Sequence, residues 1–341
     1  MADEPVDAHP AGAAHPAEAA HSAGAAPPAD AAPPRVAAAH PADPTHPAWP
    51  RARWGLLAAA AVILVIHSLQ YNFVTDDAYI SFVFSRNLAE YGQLTFNLGQ
   101  PVEGYTNFLW TLILGLGMWA GAAPELASRV LGTVCALATL YVVCRTTERA
   151  LGRRTPWATL PSLLLACSSG FACWTSGGLE TQLYTLLVAA ALDAMVAAAL
   201  APRMLRRAGI YLALAALTRP EGPMVAAVLG LAWAIARLAS RGARRGFTDE
   251  LLAIACLLSL WAPWFAWRWW YYGWPFPNTY YVKASGAWAS PDMPRQMRDN
   301  GLYYVWVWLR QTRLIWALPI AIVGLAAARR RTPRFVAGVA G

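Results

Sequence analysis

From Arg51 onward the chain is a series of apolar runs separated by arginine clusters, and this alternation restricts the fold more than any other feature. A membrane-crossing helix needs about 20 predominantly apolar residues. The runs at 54–71, 126–144, 156–173, 180–201, 208–219, 222–236, 249–271 and 314–328 are read as spans, several of them short. The expected fold is an all-α integral membrane protein of about eight transmembrane helices. Charged residues make up 13% of the 341, about half the share in a soluble domain, and there are 17 Trp. That excludes an ordinary cytosolic enzyme, a disordered protein and a nucleic-acid binder.

The net charge of +8 does not mark a nucleic-acid footprint, because the arginines cluster at span ends. The clusters are Arg51/53, Arg145/149/153/154, Arg203/206/207, Arg237/241/244/245 and Arg329/330/331/334. Placing all five in the cytoplasm requires that 104–121 does not cross. That stretch is therefore read as a juxtamembrane helix on the outer face. Residues 72–125 become a long first external loop, and 272–313 a second. The five cysteines show no C-x-x-C, and Cys135, Cys144, Cys167 and Cys256 read as small core residues.

Residues 1–52 are a different polymer, rich in Ala, Pro and His. This segment lacks the apolar residues to offset chain entropy and is expected to be a disordered cytoplasmic tail. Its irregularly spaced histidines read as linker rather than metal ligands. The membrane domain is 53–341. The terminal RFVAGVAG resembles the start of another span, so the chain is expected to be C-terminally truncated.

The polar motifs all fall on the external side. Asp76 and Asp77 follow the first span directly. Adjacent carboxylates at a membrane surface are costly unless solvated, paired or metal-bound. They could cap the helix DAYISFVFSRNLAEYG, act as a general base, or help hold a divalent cation such as Mg²⁺ or Mn²⁺. Tyr79 lies just beyond. In NLGQPVEGYTN, Glu103, Tyr105 and Asn107 either form an interfacial loop or face the same cavity as the acids. SGGLET places Glu180 at the outer end of the fourth span, where an acid also suits a helix start. In LTRPEG only about eleven apolar residues, roughly 17 Å of helix, precede Arg219, so Arg219 and Glu221 should sit below the outer headgroups. Either they form a structural pair or Arg219 binds phosphate through its planar fork of donors. The aromatic stretch 267–283 reads partly as an interface belt around Arg268. Its PFPN turn presents Asn278 and Tyr280, and Lys283, the one lysine of the chain, follows. Aromatic faces beside hydrogen-bonding groups suit a sugar.

Together the blocks DDAYISFVFSRNLAEYGQLTFNLGQPVEGYTNFLW, SGGLETQLY, ALTRPEG and PFPNTYYVKASG resemble, in order, the GT-C glycosyltransferases. Within these the chain is most similar to the terminal arabinofuranosyltransferase-like proteins of bacterial envelopes. The resemblance covers about residues 54–330. It implies an enzyme of the bacterial inner membrane that moves a sugar from a polyprenyl-phosphate donor to an extracytoplasmic glycan, lipid or protein acceptor, with inversion. It further implies that Asp76 or Asp77 deprotonates the acceptor or positions a metal, with Arg219 and Lys283 near the donor phosphate. The competing expectation is a non-catalytic membrane factor or lipid-linked-sugar transporter of the same fold.

Overall fold

A computed structural model describes residues 48–239, 246–283, 293–311 and 319. Among these, all regular structure is helical. The helices are α1 (Ala48–Leu69), α2 (Asp76–Tyr91), α3 (Phe108–Trp119), α4 (Pro124–Leu151), α5 (Leu160–Ala166), α6 (Ser169–Cys173), α7 (Thr181–Ala198), α8 (Met204–Thr218), α9 (Gly222–Ala239), α10 (Thr248–Tyr272), α11 (Asn278–Lys283) and α12 (Met293–Gln311). Nearly all of the 1–52 tail, the expected span 314–328 apart from residue 319, and the whole terminal run to Gly341 lie outside the described residues.

Among the described residues, four helices are long and apolar enough to cross a membrane: Arg51–Leu69 in α1, α4, α7 and α10. The expectation of about eight is met only in part. The apolar run 156–173 is not one helix. Pro156 opens a short 3-10 turn and Pro161 opens α5, because a proline's missing N–H costs nothing in the first turn. The chain then breaks before α6, and buried Gln182 of α7 donates from Nε2 to the Phe171 carbonyl at 2.7 Å. α8 begins earlier than expected, at Met204, but its 15 residues reach only about 22 Å. α3 is shorter still at 12 residues, about 18 Å, and packs chiefly on α2.

α8 is the centre of the bundle, flanked by α7, α9 and α10. Its Ala208, Gly209, Ala213 and Ala216 let neighbouring backbones come close. At Gly209 a Cβ would fall 2.1 Å from the Ala253 carbonyl oxygen, so any side chain there would force α8 and α10 apart.

The arginine-rich helix ends gather at one end of the bundle and are ion-paired across helices. Arg53 of α1 meets Glu148 of α4 at 3.0 Å. Arg145 and Arg149 of α4 both meet Asp193 of α7, the former at 2.5 Å. Arg206 of α8 and Arg237 of α9 meet Asp249 and Glu250 of α10, each at 2.9 Å. These arginines therefore stitch helices together as well as marking one side. Cys135 and Cys144 are buried as expected, whereas Cys167 is exposed where α5 ends. No disulfide joins the cysteines.

Candidate functional site

The opposite end of the bundle carries the polar motifs. The turn at 176–180 is wedged beneath the first turn of α2. Gly178 has φ +86°, and a Cβ on it would sit 2.8 Å from Val74 Cγ1 and 3.0 Å from Ala78 Cβ. The Thr75 amide donates to the Gly177 carbonyl at 3.1 Å, and Trp110 Nε1 donates to the Gly178 carbonyl at 3.1 Å. Three segments distant in sequence are thereby fixed around one opening, a cleft of about 630 Å³. That is an ordinary size for a small-ligand site. Asp77, Ser81, Tyr105, Asn107, Glu180, Arg219, Glu221 and Tyr280 all line it.

The two aspartates differ. Asp76 Oδ1 accepts from the Asp77 amide at 3.0 Å and from Thr75 Oγ1 at 3.2 Å, so one oxygen of Asp76 is held within the first turn of α2. The exposed Asp77 carboxylate has no hydrogen-bond partner among the described residues and borders the cleft. Both carboxylates lie at a helix N-terminus, where the backbone dipole favours negative charge.

Across the cleft, Glu180 is buried and bridges two partners. Its Oε2 accepts from Asn107 Nδ2 at 2.7 Å and its Oε1 from Arg219 Nη1 at 3.0 Å. Asn107 is held in turn by Ser81 Oγ and Thr111 Oγ1, 3.0–3.1 Å away. Arg219 Nε donates to Glu221 Oε2 at 3.3 Å, and the guanidinium lies 5.9 Å from the Tyr184 ring centre. Arg219 Nη2 is left without a protein partner among the described residues. The chain α2–Asn107–Glu180–Arg219 thus sets a partly exposed guanidinium in the cleft that Asp77 also lines.

Four expected cavity residues stand elsewhere or take another part. Tyr79 turns away: its hydroxyl donates to Glu125 Oε1 of α4 at 2.7 Å. Two residues along a helix is a rotation of about 200°, so Tyr79 cannot share a face with Asp77, whereas Ser81 does. Glu103 pairs behind the cleft with Arg268, whose Nε donates to Glu103 Oε1 at 2.7 Å. Burial pushes the Glu103 carboxyl up from the ordinary carboxylate range, against the pull of Arg268. Tyr105 does line the cleft, but its hydroxyl is buried against the Tyr272 hydroxyl at 3.2 Å, which together with desolvation raises it well above the usual phenol range. Asn278 faces a neighbouring cavity, and its amide nitrogen donates to the Glu103 carbonyl at 3.0 Å. The side chain of Lys283 lies outside the described residues.

Arg268 is the residue the sequence did not flag. It is 3% exposed, donates from Nη1 to the Pro275 carbonyl at 2.8 Å, and is flanked by the Trp264 and Phe265 rings. It fixes the 273–278 turn that forms one wall of the cleft. Among the described residues, no group of three or more His, Cys, Asp or Glu side chains assembles that could hold a metal ion. Asp76 and Asp77 stand as a pair, with one oxygen of Asp76 already accepting from Thr75 and the Asp77 amide.

Over 298 residues the chain is 27% identical to the terminal beta-(1->2)-arabinofuranosyltransferase of Mycobacterium tuberculosis (strain ATCC 25618 / H37Rv). The match covers 83% of this chain and 45% of that protein, so the chain spans less than half the relative's length. No family model and no solved structure matches the chain.

Proposed function

We propose that this chain is the membrane-embedded part of a glycosyltransferase that takes a sugar from a polyprenyl-phosphate donor and passes it, with inversion, to an acceptor outside the cytoplasm. The observation that carries this reading is that Asp77 and Arg219 line one cleft, at the bundle end away from the arginine-lined helix ends. The similarity to a membrane arabinofuranosyltransferase supports it and makes arabinofuranose the first donor sugar to test. By the positive-inside rule the arginine end faces the cytoplasm, and the cleft opens on the outer side of a bacterial inner membrane.

The reaction assigns the residues as follows. The Asp77 carboxylate takes the proton of the acceptor hydroxyl. The hydroxyl oxygen bonds to the anomeric carbon from the face opposite the phosphate, the bond from that carbon to the phosphate oxygen breaks, and the lipid phosphate leaves. Arg219, through Nη2, and Lys283 offset the charge on that phosphate. Glu180 and Asn107 orient Arg219. No step is routed through a metal ion.

A second reading draws on one observation. Arg219 is shared between Glu180 and Glu221, which cancels much of its charge and suits a helix-fastening role in a non-catalytic factor or transporter. Proteoliposomes supplied with a panel of polyprenyl-phosphate sugars separate the two. The enzyme releases polyprenyl phosphate and labelled product with one donor, and the Asp76→Ala, Asp77→Ala double variant folds but transfers nothing. A double variant as active as the parent chain would sink the catalytic assignment.

A further inference from the structure

Beside the cleft lies a second cavity of about 500 Å³. Pro101 and Val102 form one wall, and Trp274, Phe276, Asn278 and Tyr281 the other. Phe276 lines both cavities. The segments that build it are fastened from behind. Tyr272 forms the floor, with its hydroxyl donating to the Leu94 carbonyl at 2.7 Å, and Arg268 holds Pro275. Trp274 and Tyr281 meet edge to face at 5.3 Å, and Trp274 is 63% exposed. The side chain of Asn278 makes no hydrogen bond among the described residues.

We infer that this cavity is a subsite for the penultimate part of a glycan acceptor, an inference that rests on the transfer reading above. A sugar ring offers an apolar C–H face to an aromatic ring and a rim of hydroxyls to an amide. The wall supplies both, with aromatic faces at Trp274 and Tyr281 and donor and acceptor atoms at Asn278. Phe276 is the residue the cavity and the cleft have in common. A linear acceptor with its terminal hydroxyl at Asp77 therefore runs over Phe276 and lays the preceding sugar against Trp274. The site makes the chain selective for an oligosaccharide over a single sugar.

The test compares mono- and oligoarabinofuranosides carrying the same alkyl tail, with the full chain in nanodiscs. The parent chain prefers the oligomer in kcat/KM, and Trp274→Ala lowers that preference about tenfold through KM. Trp270→Ala serves as the control. Trp270 belongs to the same aromatic stretch and is 79% exposed but lines neither cavity, so the preference is unchanged. Equal use of both acceptors by the parent chain, or an unchanged preference in Trp274→Ala, overturns the subsite. Binding of the two glycosides, followed by saturation-transfer NMR, reads the same ratio without turnover. If transfer fails while the oligomer preference and its loss in Trp274→Ala persist, the transfer reading falls and the subsite stands.

Discussion

The two ends of this bundle handle charge in opposite ways. At the arginine end, each acid from Glu148 to Glu250 named above meets an arginine on a neighbouring helix. At the cleft end, Asp77 has no partner among the described residues, Glu180 and Glu221 share one arginine, and Glu103 behind the cleft is matched by Arg268. An ion pair fully matched within the protein fastens helices and has nothing left for a ligand. A charge left over beside a cavity is available for one. Buried ion pairs add little net stability over apolar replacements, but removing one partner strands the other. The same mutation chemistry should therefore act on stability at one end and on reaction at the other.

The largest expected effect is at Asp77. Asp77→Asn keeps the shape and removes the base, and transfer should fall about 10²- to 10⁴-fold with the melting temperature unchanged. Next is Asp193→Asn, which strands Arg145 and Arg149 at the other end. A loss of about 1–3 kcal/mol in a denaturation titration is expected, since both arginines are about a third exposed, with kcat per folded molecule preserved. A fall in kcat there, or in stability at Asp77, would break the contrast between the ends.

Glu103 sharpens it. Its pKa is raised in the folded state, so its contribution to stability is present below the ordinary carboxylate range and is lost as pH rises through the raised value. Glu103→Gln should flatten that part of the stability–pH profile, measured by thermal unfolding. The smallest effect belongs to Tyr79→Phe. Losing one exposed hydrogen bond to Glu125 should change stability by less than about 0.5 kcal/mol and leave transfer rates as they were.

Asp77, Asn107, Glu180 and Arg219 were legible in the sequence because polar residues in so apolar a chain must be solvated, paired or put to use. The run of letters gives only proximity along the chain, and that misplaced Tyr79, two residues from Asp77 but on another face of α2. Arg268 was hidden by its surroundings. Among Trp and Tyr it read as part of an interface belt, yet a single arginine inside a 25-residue apolar helix demands a carboxylate, and Glu103 supplies it from 165 residues away. The span at 156–173 failed for a related reason. Hydropathy registers apolar content but not the breaks that Pro156, Pro161 and Ser168 introduce.

The central claim is that Asp77, and not its neighbour Asp76, is the base. The most direct measurement sets Asp76→Asn beside Asp77→Asn in one proteoliposome assay, using the donor that the parent chain accepts. Asp76→Asn keeps an oxygen acceptor for the Asp77 amide, so stability should change by less than about 1 kcal/mol while transfer stays within a few-fold of the parent rate. Asp77→Asn should keep its stability and lose transfer. Equal losses of transfer in both, or a loss confined to Asp76→Asn, would contradict the account.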